Sequence, residues 1–476
     1  MLNDTDDLKP ALLDRFAAIV GDRFALRSPA DIEPYVNEPR GLYGGTSPLV
    51  LRPGTVEEVS RIMKLATETR TAIVPQSGNT GLVGGQMPDK SGRQVVLSLQ
   101  RLDRIREVDT RSNTITAEAG VILQNLQEAA DAADRFFPLS LASQGTCRIG
   151  GNLSSNAGGT GVLAYGNARE LCLGVEVVMP NGDVFDDLRK LKKDNTGYDL
   201  KDLFVGGEGT LGIITAAVMK LFPRPRGNEV AWVGLESPEK ALQFFNLALD
   251  RAGGSLTAFE LIPHIILDFT VRHIPDSTAP LATAFPWYVL MQVSSGRSVE
   301  DARGLIEEIL ADGLENGLIM DAALAANLAQ AATLWRLRET MPDSQKAEGA
   351  SIKHDISVPV ASIPEFIERA SQAVEKVVPG ARIVGFGHMG DGNLHFNISQ
   401  PVGADGKAFL ERYGDVNKAV HDIVRSLSGS ISAEHGIGTL KRDELASTAP
   451  PVAIDLMRRV KQVFDPLGIM NPGKVL

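Results

Sequence analysis

Three glycine-rich stretches in the first half of the chain constrain its fold more than any other feature. They cover residues 75–85, 143–159 and 193–199, and the last leads into 206–212. Glycine lets main-chain N–H groups approach a ligand closely, and clustered N–H groups bind pyrophosphate without lysine side chains. Tight turns alone are the alternative for any single stretch, but three within one module favour a cofactor site.

Residues 207–212 match the glycine pattern of a dinucleotide-binding turn. That pattern requires a helix immediately afterwards, whereas residues 213–218 are rich in β-branched side chains and predict a strand. The pattern therefore disfavours a nicotinamide-binding site of this kind, and the sequence contains no Walker A motif.

The hydrophobic pattern predicts an α+β fold with two modules. Residues 47–75 read as a β-α-β unit, and strands at 95–99, 105–108 and 114–119 precede a helix at 122–134. The first domain is predicted to cover 1–223, with a helical lead-in over 1–43, and the prolines and arginines of 223–226 predict a linker. A second α+β domain follows over 224–430, and 431–476 forms a C-terminal segment.

Charge and cysteine content exclude several classes of function. The 48 Lys and Arg against 59 Asp and Glu give a net charge of -11, which disfavours a nucleic-acid partner. Two cysteines form neither a disulfide framework nor a four-thiolate metal site. The uncharged residues 277–296 contain prolines that argue against a membrane span, and the acidic start of the chain predicts a cytoplasmic protein.

Histidines gather in two short motifs near the end of the second domain. His388 and His395 flank a Gly-Asp-Gly-Asn loop that predicts a hairpin, and Glu434 precedes His435 between glycines. Two imidazoles and one carboxylate form a three-ligand site with positions open for substrate, suited to Zn, Mn, Co or Fe. The alternative is that these are ordinary polar residues satisfied within the protein.

Taken together, residues 75–81, 149–159 and 194–199 resemble the FAD domain of the vanillyl-alcohol-oxidase and cresol-methylhydroxylase superfamily, of the PCMH type. Within it the chain resembles the FAD-linked D-2-hydroxyacid dehydrogenases, and in particular the branch that oxidises D-2-hydroxyglutarate. The resemblance implies FAD between two α+β subdomains, with an α+β cap domain over the flavin. No histidine occurs at 77–79, so we expect non-covalent FAD. The expected cofactor residues are Pro75, Ser77, Gly78, Asn79, Thr80, Gly81, Gly84, Gly85, Ser143, Gly145, Thr146, Gly150, Gly151, Asn152, Asn156, Gly158, Gly159, Gly209, Gly212, Ile213, Asn471 and Lys474.

The same resemblance assigns roles around the histidine motifs. It implies that His388, His395 and Glu434 bind a divalent metal, with zinc as first choice, and that His435 is the general base. Arg338 and Lys353 correspond to contacts with substrate carboxylate, and Asn397 to a further polar contact. From the sequence alone, residues 335–339 end an Ala-rich helix, 351–358 form a strand, and both basic residues are read as surface charges.

One departure bears on the substrate. A hydroxyl residue that holds the distal carboxylate of hydroxyglutarate is expected four positions after Arg338, where this chain has Pro342; Ser344 is the candidate replacement. The expected activity is oxidation of a D-2-hydroxyacid, foremost D-2-hydroxyglutarate, to the 2-oxoacid, with D-lactate, D-malate and glycolate as alternatives. The electron acceptor is open between an electron-transfer flavoprotein, a quinone and a cytochrome, and a homodimer is expected. Rival readings are a flavin-free metallohydrolase and a flavin-binding subunit of a larger assembly.

Overall fold

The computed structural model describes residues 8–38 and 41–476, so part of the predicted 1–43 lead-in lies outside the described residues. The chain forms two compact units. The first unit contains the chain up to Gly158, Asn167–Pro223 and His435–Leu476, and the second contains Gly159–Gly166 and Arg224–Glu434. The chain therefore contributes the short segment Gly159–Gly166 to the second unit, enters that unit again after Pro223 and returns to the first at His435.

Two larger sheets organise the first unit. A four-stranded sheet has the order β1-β2-β4-β3, an antiparallel five-stranded sheet has the order β5-β6-β10-β8-β9, and β7 pairs with β11. The strands are β1 (Ala25–Leu26), β2 (Val50–Leu51), β3 (Ala72–Gln76), β4 (Gln94–Ser98), β5 (Ile105–Asp109), β6 (Thr114–Glu118), β7 (Arg135–Phe136), β8 (Cys172–Val178), β9 (Val184–Asp187), β10 (Ile213–Lys220) and β11 (Phe222–Pro223). The helices are Pro10–Val20, Pro29–Val36, Val56–Thr69, Leu123–Ala132, Ile149–Ser154, Ala168–Leu171, Lys201–Phe204, Arg442–Thr448 and Pro451–Phe464.

The β-α-β unit predicted at 47–75 is present, and its helix shows why the sequence folds locally in this way. The Thr55 side chain accepts a hydrogen bond from the Glu58 amide, which caps the helix Val56–Thr69. One face of the helix packs into the same core cluster as Val95 and Leu97 of β4. The helix returns the chain so that β2 and β3 run in the same direction, and both pair in parallel with β4, which lies between them.

The second unit is built on one eight-stranded sheet in the order β15-β12-β14-β13-β18-β19-β16, with β17 also paired to β19. Alternate residues of β12 enter two different core clusters, Ala231 and Val233 on one face and Val230 and Trp232 on the other. Helices therefore cover both faces of the sheet. The strands are β12 (Gly227–Leu235), β13 (Leu256–Pro263), β14 (Trp287–Ser295), β15 (Asp321–Leu324), β16 (Ser351–Ile352), β17 (Asp355–Ser357), β18 (Arg382–His388) and β19 (Asn393–Ser399). The helices are Val162–Tyr165, Pro238–Ala252, His264–His273, Val299–Glu315, Leu328–Ser344, Ile363–Val377, Gly406–Leu410 and Tyr413–Ser426.

Two local predictions are wrong, both next to the substrate candidates. Residues 335–339 lie in the middle of the helix Leu328–Ser344, which continues through Pro342 for two further residues. The predicted strand 351–358 is interrupted at 353–354, which leaves the two short strands β16 and β17 beside β19. Of the described helices, none is both long and apolar enough to cross a membrane.

Candidate active site

The glycine-rich stretches of the first unit pack against one another. A Cβ atom on Gly78 would lie 2.8 Å from the Thr146 carbonyl oxygen, and one on Gly151 would lie 3.2 Å from Cβ of Ser77. Gly209 has φ +68°, and a Cβ there would lie 2.6 Å from Cγ of Pro75. A Cβ would clash at Gly78 and Gly209, so parts of the first two stretches and of the segment 206–212 meet beside β3.

The C-terminal tail joins the same place. The side-chain amide of Asn471 donates to the carbonyl oxygens of Gly85 and Glu208, both at 2.9 Å. Its buried Oδ1 atom has no hydrogen-bond partner among the described residues. Lys474 is also buried, and burial lowers the pKa of its ammonium group. Asn471 thus brings an acceptor without a donor to the glycine-rich loops, and the same tail carries a buried cation.

Several side chains expected to contact the cofactor have partners within the protein instead. The Asn79 amide donates to the carbonyl oxygens of Pro34 and Asn37, and Thr146 donates to the Ser143 carbonyl. Asn156 Oδ1 accepts from the amide of Arg169. These side chains shape the loops, and the main chain remains the main source of donors.

The other predicted cofactor residues differ in their surroundings. Ser77 Oγ lies 3.5 Å from the Ala119 carbonyl oxygen, and Asn152 is buried in the helix Ile149–Ser154. Gly212 directly precedes β10, whose first residue is Ile213, which confirms the strand predicted there. Tyr198 in the third stretch is 94% exposed, so residues 193–199 are surface residues of the first unit. Gly150 is buried in the same helix as Asn152, and the remaining positions on the glycine-rich loops are Thr80, Gly81, Gly84, Gly85, Gly145 and Gly158.

In the second unit, the predicted hairpin forms and brings two histidines together. His388 ends β18, His395 lies on β19 opposite Phe386, and the turn between the strands has Gly392 in the left-handed conformation. The two imidazole rings are 5.6 Å apart in an edge-to-face arrangement. The hairpin of β18 and β19 therefore brings His388 and His395 together, as the sequence predicts.

Glu434 completes a group of three metal-ligand atoms. One donor atom from each of His388, His395 and Glu434 lies within 4.8 Å of the other two. Glu434 is held from two sides, because its amide donates to Asp355 Oδ2 at 2.9 Å and its Oε1 accepts from the Gly159 amide at 2.6 Å. The Gly159 N–H group expected to bind FAD is therefore hydrogen-bonded to this carboxylate.

The sequence reasoning missed Glu260, a buried carboxylate on β13. Its Oε1 accepts from Nδ1 of His388 at 2.6 Å, and its Oε2 accepts from Nε of Arg338 at 2.8 Å. Burial raises the pKa of Glu260, but the charges of His388 and Arg338 outweigh it and hold the pKa well below its usual range. Burial lowers the pKa of His388, and the Glu260 carboxylate outweighs that effect and raises it. A lone charge within the otherwise apolar strand β13 was the available sequence signal.

Arg338 is buried in the second unit, contrary to its reading as a surface charge. Its Nη2 atom lies 2.7 Å from Glu260 Oε2 but out of line for a hydrogen bond. This N–H group therefore has no acceptor in the described part of the chain, although Arg338 is only 5% exposed. A buried guanidinium donor without an acceptor is suited to a carboxylate ligand.

The remaining substrate candidates are arranged differently from the sequence expectation. Lys353 is exposed in the break between β16 and β17, and the Asn397 amide donates to Gln345 Oε1 at 3.0 Å. Ser344 is buried, and its hydroxyl contacts the Met341 carbonyl and Thr270 Oγ1. Ser344 is therefore a wrong candidate for replacing the hydroxyl that Pro342 lacks.

His435 starts the segment that belongs to the first unit, directly after Glu434 in the chain. The loop after it is anchored by Glu208, whose carboxylate accepts from the amides of Ile437 at 2.7 Å and Gly438 at 2.8 Å. Burial raises the pKa of Glu208 above its usual value, although the hydrogen bonds from these two N–H groups act in the opposite direction. Glu208 also escaped the sequence reasoning, although a single acid inside a glycine-rich stretch was a usable signal.

Comparison with known proteins gives two family matches. Residues 47–187 match the FAD binding domain, and residues 224–475 match the C-terminal domain of FAD linked oxidases. The chain is 37% identical over 433 residues to D-2-hydroxyglutarate dehydrogenase of Danio rerio, covering 91% of this chain and 79% of that protein. It is 35% identical to the enzyme of the same name from Xanthomonas citri pv. viticola, covering 94% and 93%.

Solved structures support the PCMH-type fold. The chain superposes on p-cresol methylhydroxylase with a TM-score of 0.75 and 17% identity, covering 98% of this chain and 96% of that one. It superposes on alkyldihydroxyacetonephosphate synthase with a TM-score of 0.75 and 18% identity, covering 98% of this chain and 87% of that one.

The cytoplasmic location expected from the acidic start is wrong by the sequence comparison, because relatives from Danio rerio, Arabidopsis thaliana and Rattus norvegicus are named as mitochondrial proteins.

Proposed function

The chain belongs to the FAD-linked oxidases, as do the D-2-hydroxyglutarate dehydrogenases it resembles, and from this premise we propose that it oxidises D-2-hydroxyglutarate to 2-oxoglutarate. The observation that carries the proposal is the arrangement in the second unit. Three metal-ligand side chains have donor atoms within 4.8 Å of one another, and Glu260 connects one of them to a buried arginine with an unused donor. Such a set recognises a hydroxyl and carboxylates in one ligand.

FAD is the cofactor of the family, and the glycine-rich loops of the first unit fit it. Bound FAD supplies a two-electron acceptor for the hydride from the substrate Cα. The chain's own part is to present main-chain N–H groups beside β3 and the side chains of Asn471 and Lys474. No histidine is present at 77–79, so attachment is proposed to be non-covalent. A FAD-binding domain argues against the flavin-free metallohydrolase.

A divalent cation, with zinc as first choice, is proposed to be held by His388, His395 and Glu434. The fit rests on the donor set, because Nδ1 of His388 is bonded to Glu260 and its Nε2 faces Glu434 Oε1 at 3.9 Å. Such a cation lowers the pKa of the substrate hydroxyl and orients it. Two imidazoles and one carboxylate leave positions open for two substrate oxygens.

His435 is proposed as the group that takes the hydroxyl proton. Histidine is the side chain that most often acts as a general base, and its imidazole can accept a hydroxyl proton. Its place next to Glu434 in the chain puts the base and a cation ligand on one loop. Glu208 fixes the following residues through the Ile437 and Gly438 amides.

The substrate carboxylate is proposed to bind Arg338, with Lys353 and Asn397 as further contacts. The unpaired Nη2 donor of Arg338 supports this role. Pro342 lacks the expected hydroxyl and Ser344 has other partners, so D-malate and D-lactate are the substrates to compare with D-2-hydroxyglutarate. Reoxidation of the flavin is assigned to a separate acceptor, namely an electron-transfer flavoprotein, a quinone or a cytochrome, and a homodimer is proposed as the working form.

The test is an anaerobic visible spectrum of the FAD-loaded protein before and after each substrate is added. We expect D-2-hydroxyglutarate to bleach the visible absorption band of the flavin, and the L enantiomer to leave it unchanged. Bleaching by D-malate or D-lactate alone would replace the substrate and keep the reaction class. A flavin band that no D-2-hydroxyacid bleaches would refute the proposed function.

A further inference from the structure

One carboxylate in the second unit contacts both kinds of group that the proposed function needs. Glu260 lies on β13 in the eight-stranded sheet, directly opposite His388 of β18, and is 1% exposed. One of its oxygens faces the imidazole Nδ1 of His388, and the other faces the guanidinium of Arg338. The two groups come from a strand and a helix, so nothing local in the sequence keeps them in register.

We propose that Glu260 is a positioning residue that sets the tautomer and ring orientation of His388 and the direction of Arg338. The inference rests on the proposed function, which supplies the cation and the substrate. Glu260 is a further residue, to which that proposal gives no role. A hydrogen bond from Nδ1 to a carboxylate leaves Nε2 as the lone-pair nitrogen for a cation. The same carboxylate accepts a hydrogen bond from Nε of Arg338 and contacts Nη2 at 2.7 Å without an aligned hydrogen bond, so the N–H groups of Nη2 are directed by Glu260 but not used by it.

Burial makes both contacts of Glu260 energetically important. A buried carboxylate that loses its partners is costly, so Glu260 keeps both cations within reach. The Arg338 guanidinium also lies 5.0 Å from the centre of the Phe386 ring, which supports its plane from β18. A change at Glu260 should therefore alter cation affinity and carboxylate binding together.

The chain offers a matched control in Glu118 of β6. Its side chain is also fully buried and is paired with two cations, Arg104 and Arg106, in the first unit. The three proposed metal ligands all belong to the second unit, so Glu118 and its partners lie in a different unit from them. Glu118→Gln removes the same charge from a buried carboxylate paired with two cations, although these cations are more exposed than Arg338 and His388, and it leaves the proposed cation site unaltered.

The experiment measures zinc affinity of the FAD-loaded, metal-stripped protein by competition with a chromophoric chelator. We expect Glu260→Gln to weaken zinc binding about 10–100-fold, the usual effect of losing a carboxylate behind a metal-binding histidine. Glu118→Gln should bind zinc as the unaltered protein does, even where it melts at a lower temperature. The apparent Kd for D-2-hydroxyglutarate, from the dependence of the anaerobic flavin-reduction rate on substrate concentration, should rise in the Glu260 variant only.

Glu260→Asp covers the case in which the Gln variant does not fold. It keeps the charge but is one methylene shorter and cannot span both partners, so zinc binding should again weaken by several-fold or more, on the order of 10-fold. Unchanged zinc affinity in a folded Glu260 variant would overturn this inference and leave the proposed function standing. No zinc binding by the unaltered protein would overturn the proposed cation site and this inference with it.

Discussion

Replacing Arg338 with Met tests whether the buried pair with Glu260 is as strongly coupled as its geometry indicates. Arg338 Nε and Nη2 lie 2.8 and 2.7 Å from Glu260 Oε2, and both residues are buried. Two unit charges about 4 Å apart attract by about 4 kcal/mol at an effective dielectric constant of about 20. Removing one partner of a buried pair costs about 3–5 kcal/mol, so we expect the free energy of unfolding to fall by that amount.

The three tryptophans of the chain make this measurement local. Trp232, Trp287 and Trp335 all belong to the second unit, so their fluorescence during urea unfolding reports on that unit. Arg336→Met on the same helix is the matched control. Its guanidinium bonds to the Pro275 and Asp276 carbonyls at the surface, and its loss should cost under about 1 kcal/mol.

A double-mutant cycle then isolates the pair itself. The double variant Arg338→Met with Glu260→Gln leaves no unpaired carboxylate, so its destabilisation should be smaller than the sum of the single changes by about 2–3 kcal/mol. A coupling energy below about 0.5 kcal/mol would contradict the reasoning. So would an Arg338→Met protein as stable as the Arg336→Met control.

Three further predictions concern the first unit. Gly209→Ala places a Cβ 2.6 Å from Cγ of Pro75 at φ +68°. FAD affinity should therefore fall about 10-fold in a fluorescence titration of the apoprotein. Unchanged affinity would argue against this loop as part of the FAD site. Glu208→Gln weakens the hydrogen bonds that hold the loop after His435 by about 1–2 kcal/mol. The rate of anaerobic flavin reduction should therefore drop about 10-fold while the FAD content is unchanged. A reduction rate equal to that of the unaltered protein would exclude a positioning role for Glu208. Burial raises the pKa of the Cys172 thiol to about 12 and also raises the pKa of the Cys147 thiol. Neither thiol should therefore react with a disulfide reagent at about pH 8 until urea is added. Prompt reaction in the native protein would contradict their burial.

The parts of the site that the sequence predicts are those set by short chain distances. His388 and His395 meet because alternating side chains on two strands joined by a tight turn must share a face. The strand at 213–218 was predictable because β-branched residues follow a glycine-rich turn, which also disfavoured a nicotinamide site. Local geometry fixes both results, so one sequence suffices.

Residues that act through long-range contacts were beyond the same reasoning. Glu260 lies 128 positions before His388, and only the order of strands in the sheet makes them neighbours. Asn471 reaches Gly85 across 386 positions. Periodicity carries no information about which strand lies beside which, so the pairing of a buried charge cannot be read from it.

Arg338 shows how this limit affects the assignment of function as well as structure. A single arginine on a helix is best read as a surface charge, because most arginines are solvated and the helix bounds could not reveal its buried partner. Once Glu260 is placed opposite it, the same residue becomes a buried cation with one donor committed and another without an acceptor. Nη2 contacts Glu260 Oε2 at 2.7 Å without an aligned hydrogen bond, and under the proposed function the substrate carboxylate would be its acceptor. The buried acid therefore both stabilises the fold around Arg338 and leaves it competent to bind an anion.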